Sequence, residues 1–275
     1  MMRGSFLGVR QATLVLFAVA LVSVSAGAIA QPVVGPALDV PFVPTPPEVV
    51  DRMLQMVDVG PDDFVIDLGS GDGRIAIAAA KKGARALGVD IDPQRVREAQ
   101  ENARRAGVED KVTFRRENLF DTRIGDATVL TMYLLTDVNM RLRPRILDEL
   151  KPGTRVVSHA FDLADWKADQ YAEVGYRQVF MWVVPAKVAG RWQLESGTES
   201  LTLVLQQRYQ RIEGSAQIGG KTAQISNGSL RGMEIAFALP DGRNFLGRVA
   251  GDRMESLPAA GADKTAKNWR ATRVP

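Results

Sequence analysis

The chain has 275 residues, enough for one large domain or two modest ones. Its 35 basic and 32 acidic side chains leave a net charge of +3 with no basic stripe, so electrostatics give no case for a nucleic-acid partner. The absence of cysteine excludes disulfides, thiolate catalysis and a cysteine-ligated metal, and no metal is expected.

The N-terminus reads as an export signal. Arg3 and Arg10 precede an apolar run over residues 12–22, and small residues follow, ending in Ala28-Ile29-Ala30, an A-x-A cleavage pattern. Residues 1–30 are expected to be a signal peptide with Gln31 as the mature start or, left uncleaved, an N-terminal anchor. The next arginine is Arg52, so the positive-inside rule leaves the body of the chain outside the cytoplasm. The expected location is the periplasm or the outer face of the cytoplasmic membrane, with membrane contact only if the segment stays attached. Residues 31–47 form a proline-rich, extended lead-in. A helix is expected over 48–57, with Val49, Val50, Met53, Leu54 and Val57 on one face.

Residues 64–92 are the most informative stretch. Phe64, Val65 and Ile66 open a short buried strand, which ends in Asp67-Leu68-Gly69-Ser70-Gly71-Asp72-Gly73. An alanine-rich helix runs from Arg74 to Lys82 and is capped by Gly83; a second strand, 86–89, delivers Asp90 at its carboxyl end. Strand, glycine turn, helix, strand and acid, in that order, make a nucleotide-binding βαβ half. Glycine lets backbone N–H groups approach a ligand, the helix N-terminus favours anionic groups, and the acid accepts ribose hydroxyls. A dinucleotide fingerprint needs glycine at the sixth position, where Arg74 stands, so a nicotinamide oxidoreductase is disfavoured.

The alternate glycines of 67–73, together with Asp90, resemble motif I of the class I (seven-strand) methyltransferases, which bind S-adenosylmethionine. A Val-Pro-Thr-Pro segment (43–46) ahead of Asp-Leu-Gly-Ser-Gly-Asp-Gly-Arg narrows the resemblance, over about residues 40–165, to the seven-strand lysine methyltransferases. These include a mitochondrial membrane-associated group and, more distantly, the non-SET histone-lysine enzyme. The resemblance implies a Rossmann-like α/β methyltransferase domain over 48–186. It also implies a cofactor set of Thr45, Asp67, Gly69, Ser70, Gly71, Asp72, Gly73, Asp90, Ile91, Asn118 and Leu119. Within that set Asp67 lies near the methionine amino group, Asp90 holds the ribose and Asn118 faces the adenine amine. Many family members carry an acid where Asn118 stands, but an asparagine carbonyl still accepts a hydrogen bond. The lead-in around Phe42 and Thr45 reads either as a linker packed on the domain or as a segment folding over the cofactor.

Farther along, Asp92-Pro93 starts a helix as N-cap and first-turn proline, with Val96, Ala99, Ala103 and Ala106 as its apolar side and Gly107 as its end. Residues 111–115 alternate as a strand. The run 126–135 is the fourth strand, whose end brings Tyr133 to the methyl-transfer position on the family's plan; an aromatic that merely closes a strand is the alternative. The (Asn/Asp)-Pro-Pro-(Tyr/Phe) run of the amide-methylating enzymes is not found there, which argues against amide or nucleobase amino-group chemistry. Residues 136–150 are helical with an expected break near Pro144, and Arg141, Arg143 and Arg145 read as a solvated face. After the Lys151-Pro152-Gly153 turn a fifth strand over 154–158 leads to His159, the only histidine, either structural or catalytic at a carboxyl strand end. A strand over 179–184 finishes the sheet. Residues 163–170 are too short for a full crossover helix, so the last layer of the fold is expected to be trimmed.

From residue 187 helix signals vanish, and short alternating runs lie between turns such as Asn227-Gly228 and Pro240-Asp241-Gly242. Residues 187–275 are therefore expected to be a small antiparallel β domain of about six to eight strands, a barrel or sandwich, with a loop over 259–266. Gly190-Arg191-Trp192 and Trp269-Arg270 resemble lipocalin-like barrels in shape only. The sequence leads to an S-adenosylmethionine-dependent methyltransferase, for which the resemblance implies a protein lysine amine as acceptor, with Tyr133 and His159 as candidate catalytic residues and Phe42 and Thr45 beside the acceptor. The alternative is an exported binding module that keeps the fold without turnover and acts through its β domain.

Overall fold

The computed structural model describes residues 42–257 and 268–275. The export signal expected over 1–30, most of the lead-in and the loop expected over 259–266 lie outside the described residues. No helix among the described residues is long and apolar enough to cross a membrane.

The first part of the fold is built on a seven-stranded sheet in the order β3-β2-β1-β4-β5-β7-β6. The strands are β1 (Phe64–Leu68), β2 (Arg85–Asp90), β3 (Val112–Arg116), β4 (Val129–Met132), β5 (Arg155–His159), β6 (Gln170–Val174) and β7 (Arg177–Val183). The first five run parallel, whereas β7 is antiparallel to both β5 and β6. Successive strands lie on opposite sides of β1, which makes the carboxyl ends of β1 and β4 the switch point where open α/β sheets hold ligands. Helices α1 (Pro47–Met56), α2 (Arg74–Lys81) and α3 (Pro93–Ala106) cover one face and α4 (Thr136–Glu149) the other.

The alternation of β1 divides its side chains between two cores. Val65 joins the α1–α3 layer, while Ile66 and Leu68 join the layer under α4. Asp92 caps α3 by accepting from the Gln94 N–H at 2.7 Å, with Pro93 at the first turn, as the sequence indicates.

Two expectations about α4 are corrected. Helix α4 does not break at Pro144 but runs through it. Leu142 and Ile146, one on each side, are fully buried, and Arg143 and Arg145 tie both halves to neighbouring loops, so tertiary contacts outweigh the lost helical hydrogen bond. Nor do those arginines together form a solvated face: Arg141 is exposed, but Arg143 and Arg145 are half-buried. Arg145 donates to the Leu119, Phe120 and Thr122 carbonyls, Arg143 donates to the Leu163 carbonyl and pairs with Asp165, and the Arg141 guanidinium lies 3.8 Å from the centre of the Phe120 ring.

Among the described residues the second part contains nine strands, against the expected six to eight or so. They are β8 (Gly190–Ser196), β9 (Glu199–Arg208), β10 (Arg211–Ile218), β11 (Lys221–Gln224), β12 (Ser226–Arg231), β13 (Glu234–Ala238), β14 (Asn244–Ala250), β15 (Arg253–Ser256) and β16 (Trp269–Val274). Strand β9 pairs with both β8 and β10, so the sheet closes on itself as a barrel and leaves β11 alongside one end of β10. Trp192, Leu194, Leu203, Ile235 and Met254 fill the interior.

No helix links β5 to β6; the intervening chain instead buries Leu163 and Trp166. Tyr209, at the β9–β10 turn, stacks on Trp166 with ring centres 5.8 Å apart and planes 15° apart. The barrel thus supplies an aromatic to the layer that the short connection leaves thin. Strand β6 is absent from the sequence reading because Gln170–Val174 carries only one buried residue.

Candidate cofactor and acceptor site

The turn after β1 is a left-handed loop, with φ of +72°, +55° and +83° at Gly69, Gly71 and Gly73. Such values are routine for glycine and costly for other residues. The Gly69 and Ser70 N–H groups donate to the Val89 carbonyl, which fastens the loop to the end of β2. Asp67, only 1% exposed, accepts from Ser70 Oγ at 2.8 Å and from Thr131 Oγ1 at 2.6 Å. Burial raises its pKa to about 6 in spite of those two bonds. Asp90 accepts from the Gly71 and Asp92 backbone N–H groups, each at 2.9 Å, so its carboxylate is held at the lip of the loop.

The N-terminal segment closes over this loop. The Phe42 ring lies on Gly71, and the Arg95 guanidinium sits 4.6 Å from the ring centre. Arg74 forks onto Asp72 and donates from Nη1 to the Thr45 carbonyl at 2.8 Å. The residue that breaks the dinucleotide pattern therefore anchors the closing segment.

Between the loop, this segment and the ends of β2–β4 lies an open cleft. Thr45, Gly69, Ser70, Asp72, Asp90, Ile91, Asn118, Leu119 and Tyr133 all line it. Asp67 is buried beneath the loop, Gly71 is covered by Phe42, and Gly73 packs on Phe114 and Ala99. His159 is fully buried behind Tyr133, with ring centres 3.9 Å apart, and does not line the cleft. Burial, with Arg177 nearby, lowers the His159 pKa to about 4, so the ring is neutral near pH 7. Asn118 Oδ1 accepts from the Phe120 N–H at 3.0 Å, which fixes the side chain at the cleft edge and leaves its second lone pair free. Lining residues that sequence reasoning did not assign to the site include Val43, Arg74, Asp92, Arg95, Glu117 and Leu134. Arg74 left a signal by replacing the sixth-position glycine, and Val43 by its place in the Val-Pro-Thr-Pro segment.

The residues fit an adenosyl amino acid. A Cβ at Gly69 would come within 2.8 Å of Leu134, and backbone, acid and apolar walls converge where ribose and adenine need them. Fold and site together define a class I methyltransferase.

Comparison with known proteins agrees. The ANTKMT methyltransferase domain matches residues 67–170. A protein-lysine N-methyltransferase of Saccharolobus islandicus is 49% identical over 137 residues, covering 49% of this chain and 85% of that protein. The adenine nucleotide translocase lysine N-methyltransferase of Mus musculus is 36% identical over 131 residues, covering 47% of this chain and 57% of the mouse protein. The crystal structure of a Salinibacter ruber RNA methyltransferase with S-adenosyl-L-homocysteine is 49% identical, with a TM-score of 0.52 over 53% of this chain and 96% of the other. The chain belongs to this family of S-adenosylmethionine-dependent methyltransferases. It spans most of the archaeal relative but a smaller share of the mouse one.

Proposed function

We propose that the protein methylates a lysine ε-amine of another protein, outside the cytoplasm. The observation that carries the lysine reading is the charge balance of the cleft. Asp72, Asp90, Asp92 and Glu117 line it against Arg74 and Arg95. Both arginines already pair with carboxylates, Arg74 with Asp72 and Arg95 with Glu98, each at 2.5 Å. The surplus is negative, which draws in an ammonium group and repels a phosphate backbone. The name of the archaeal relative supports the same acceptor.

S-adenosylmethionine supplies an electrophilic methyl group on a sulfonium. Asp90, Ile91, Asn118 and Leu119 would hold the adenosine, and Asp67 and the glycine loop the amino-acid end. The Tyr133, Leu134 and Val43 side chains present a largely apolar wall to the acceptor, which disfavours ammonium at the point of reaction. Holding nucleophile and methyl group in line is worth about 7–11 kcal/mol, so no strong general base is required.

The name of the Salinibacter protein favours RNA as a second reading. Incubating the protein lacking residues 1–30 with methyl-labelled cofactor, envelope proteins and total RNA separates the two. Methyl-lysine in a protein hydrolysate is the expected result; label confined to RNA would overturn the lysine reading. No label in either would favour the binding module. The location rests on Arg3, Arg10 and the apolar run, and a fusion of residues 1–40 to a reporter active only outside the cytoplasm tests it. A silent reporter would sink that part.

A further inference from the structure

Thr45 and His159 stand 114 residues apart and meet in the interior. Thr45 Oγ1 lies 3.1 Å from His159 Nδ1, Thr45 is 3% exposed, and His159 is fully buried. The other ring nitrogen, Nε2, has no hydrogen-bond partner among the described residues. A buried polar atom without a partner is costly, whereas an apolar ring would fill the same space without that cost. The imidazole is therefore a poor device for stability alone.

What the ring touches suggests another role. Its edge meets Thr45, whose carbonyl is held by Arg74 and whose segment covers the glycine loop. Its face meets Tyr133, which lines the cleft and stacks in turn near Phe161 at 6.3 Å. We propose that His159 is a positioning residue that holds segment 42–45 and the Tyr133 ring in one geometry, so that the cofactor side and the acceptor side of the cleft close as a unit. This goes beyond the methyltransferase reading structurally and rests on it only for the cofactor-affinity and kinetic consequences.

The test is a double-mutant cycle of Thr45→Val and His159→Phe, which remove the polar contact while keeping bulk. Hydrogen exchange of the peptide 42–50 in the cofactor-free protein should rise in each single variant and rise no further in the double, with strand 64–68 unchanged. Affinity for S-adenosyl-L-homocysteine should fall about five-fold in each single variant and by no more in the double. With an acceptor in hand, His159→Phe should lower kcat while leaving the acceptor KM near wild type, a split that loss of stability alone does not produce. Wild-type exchange and affinity in Thr45→Val would overturn the proposal, and so would additive effects in the double variant. Should His159→Phe not fold, Thr45→Val decides alone. Coupled exchange in a protein whose wild type fails to bind S-adenosyl-L-homocysteine would support the positioning role and defeat the methyltransferase reading.

Discussion

The ring of Phe42 rests directly on Gly71, so that a Cβ at position 71 would lie 2.7 Å from Cδ2 of Phe42 and closer still to Cε2. The contact joins the N-terminal segment to the loop whose N–H donates to Asp90. A methyl group at this one position therefore attacks loop conformation and loop cover together.

Gly71→Ala should cost about 1–2 kcal/mol in backbone strain at its positive φ and, in addition, displace Phe42. Affinity for S-adenosyl-L-homocysteine, measured by titration calorimetry, should fall at least about ten-fold. In a Phe42→Ala background the same substitution should cost only the strain, because the clash is gone. Equal costs in the two backgrounds would mean that the ring does not cover the loop in solution.

Asp90→Asn keeps the size of the side chain but removes its charge from two backbone N–H bonds and from any ribose hydroxyl. Hydrogen bonds to a charged group contribute about 1.5–3 kcal/mol, so the cofactor product should bind about ten-fold or more weakly. The thermal midpoint should move far less, because Asp90 is only half-buried and water can replace the lost partner.

Two buried groups impose opposite pH slopes on stability. Asp67 has a pKa near 6 in the fold against 3.8 ordinarily, so between those values the folded state binds the extra proton and stability falls as pH rises. His159 has a pKa near 4 against 6.5, so there the unfolded state binds the extra proton and stability rises with pH. Relative to wild type, Asp67→Asn should therefore gain stability from pH 4 to 6, and His159→Phe should lose it. Melting curves of the three proteins across that range would show the differences diverging in opposite directions; parallel curves would refute both assignments.

Tyr209→Ala removes the barrel's contribution to the layer around Trp166 and the Tyr209 hydroxyl bond to Asp165 at 3.0 Å. A loss of about 2 kcal/mol is expected for this half-buried aromatic, seen in chemical denaturation together with increased solvent exposure of tryptophan. Removing residues 187–275 should then destabilise the first part of the chain as well as change acceptor access. An unaltered unfolding midpoint in Tyr209→Ala would show that the two parts fold independently.

Local signals carried the glycine loop, Asp90, the Asp92-Pro93 cap and the switch from helical to alternating patterns at residue 187. Each is a short-range rule: positive φ selects glycine, an N-cap needs a side-chain acceptor, and the apolar period follows the secondary structure. The family resemblance, rather than these rules, named the cofactor residues and Tyr133, and most of them line one cleft at the carboxyl ends of the strands. The sequence by itself therefore determined the class of fold and the chemistry that its cleft admits. Tertiary structure alone decided that Pro144 stays within a helix, that Arg74 anchors Thr45, that Tyr209 reaches Trp166 and that His159 lies behind Tyr133 rather than in the cleft. Those outcomes depend on packing between residues far apart in the chain, whose energies outweigh a local preference and leave no period or spacing in the sequence.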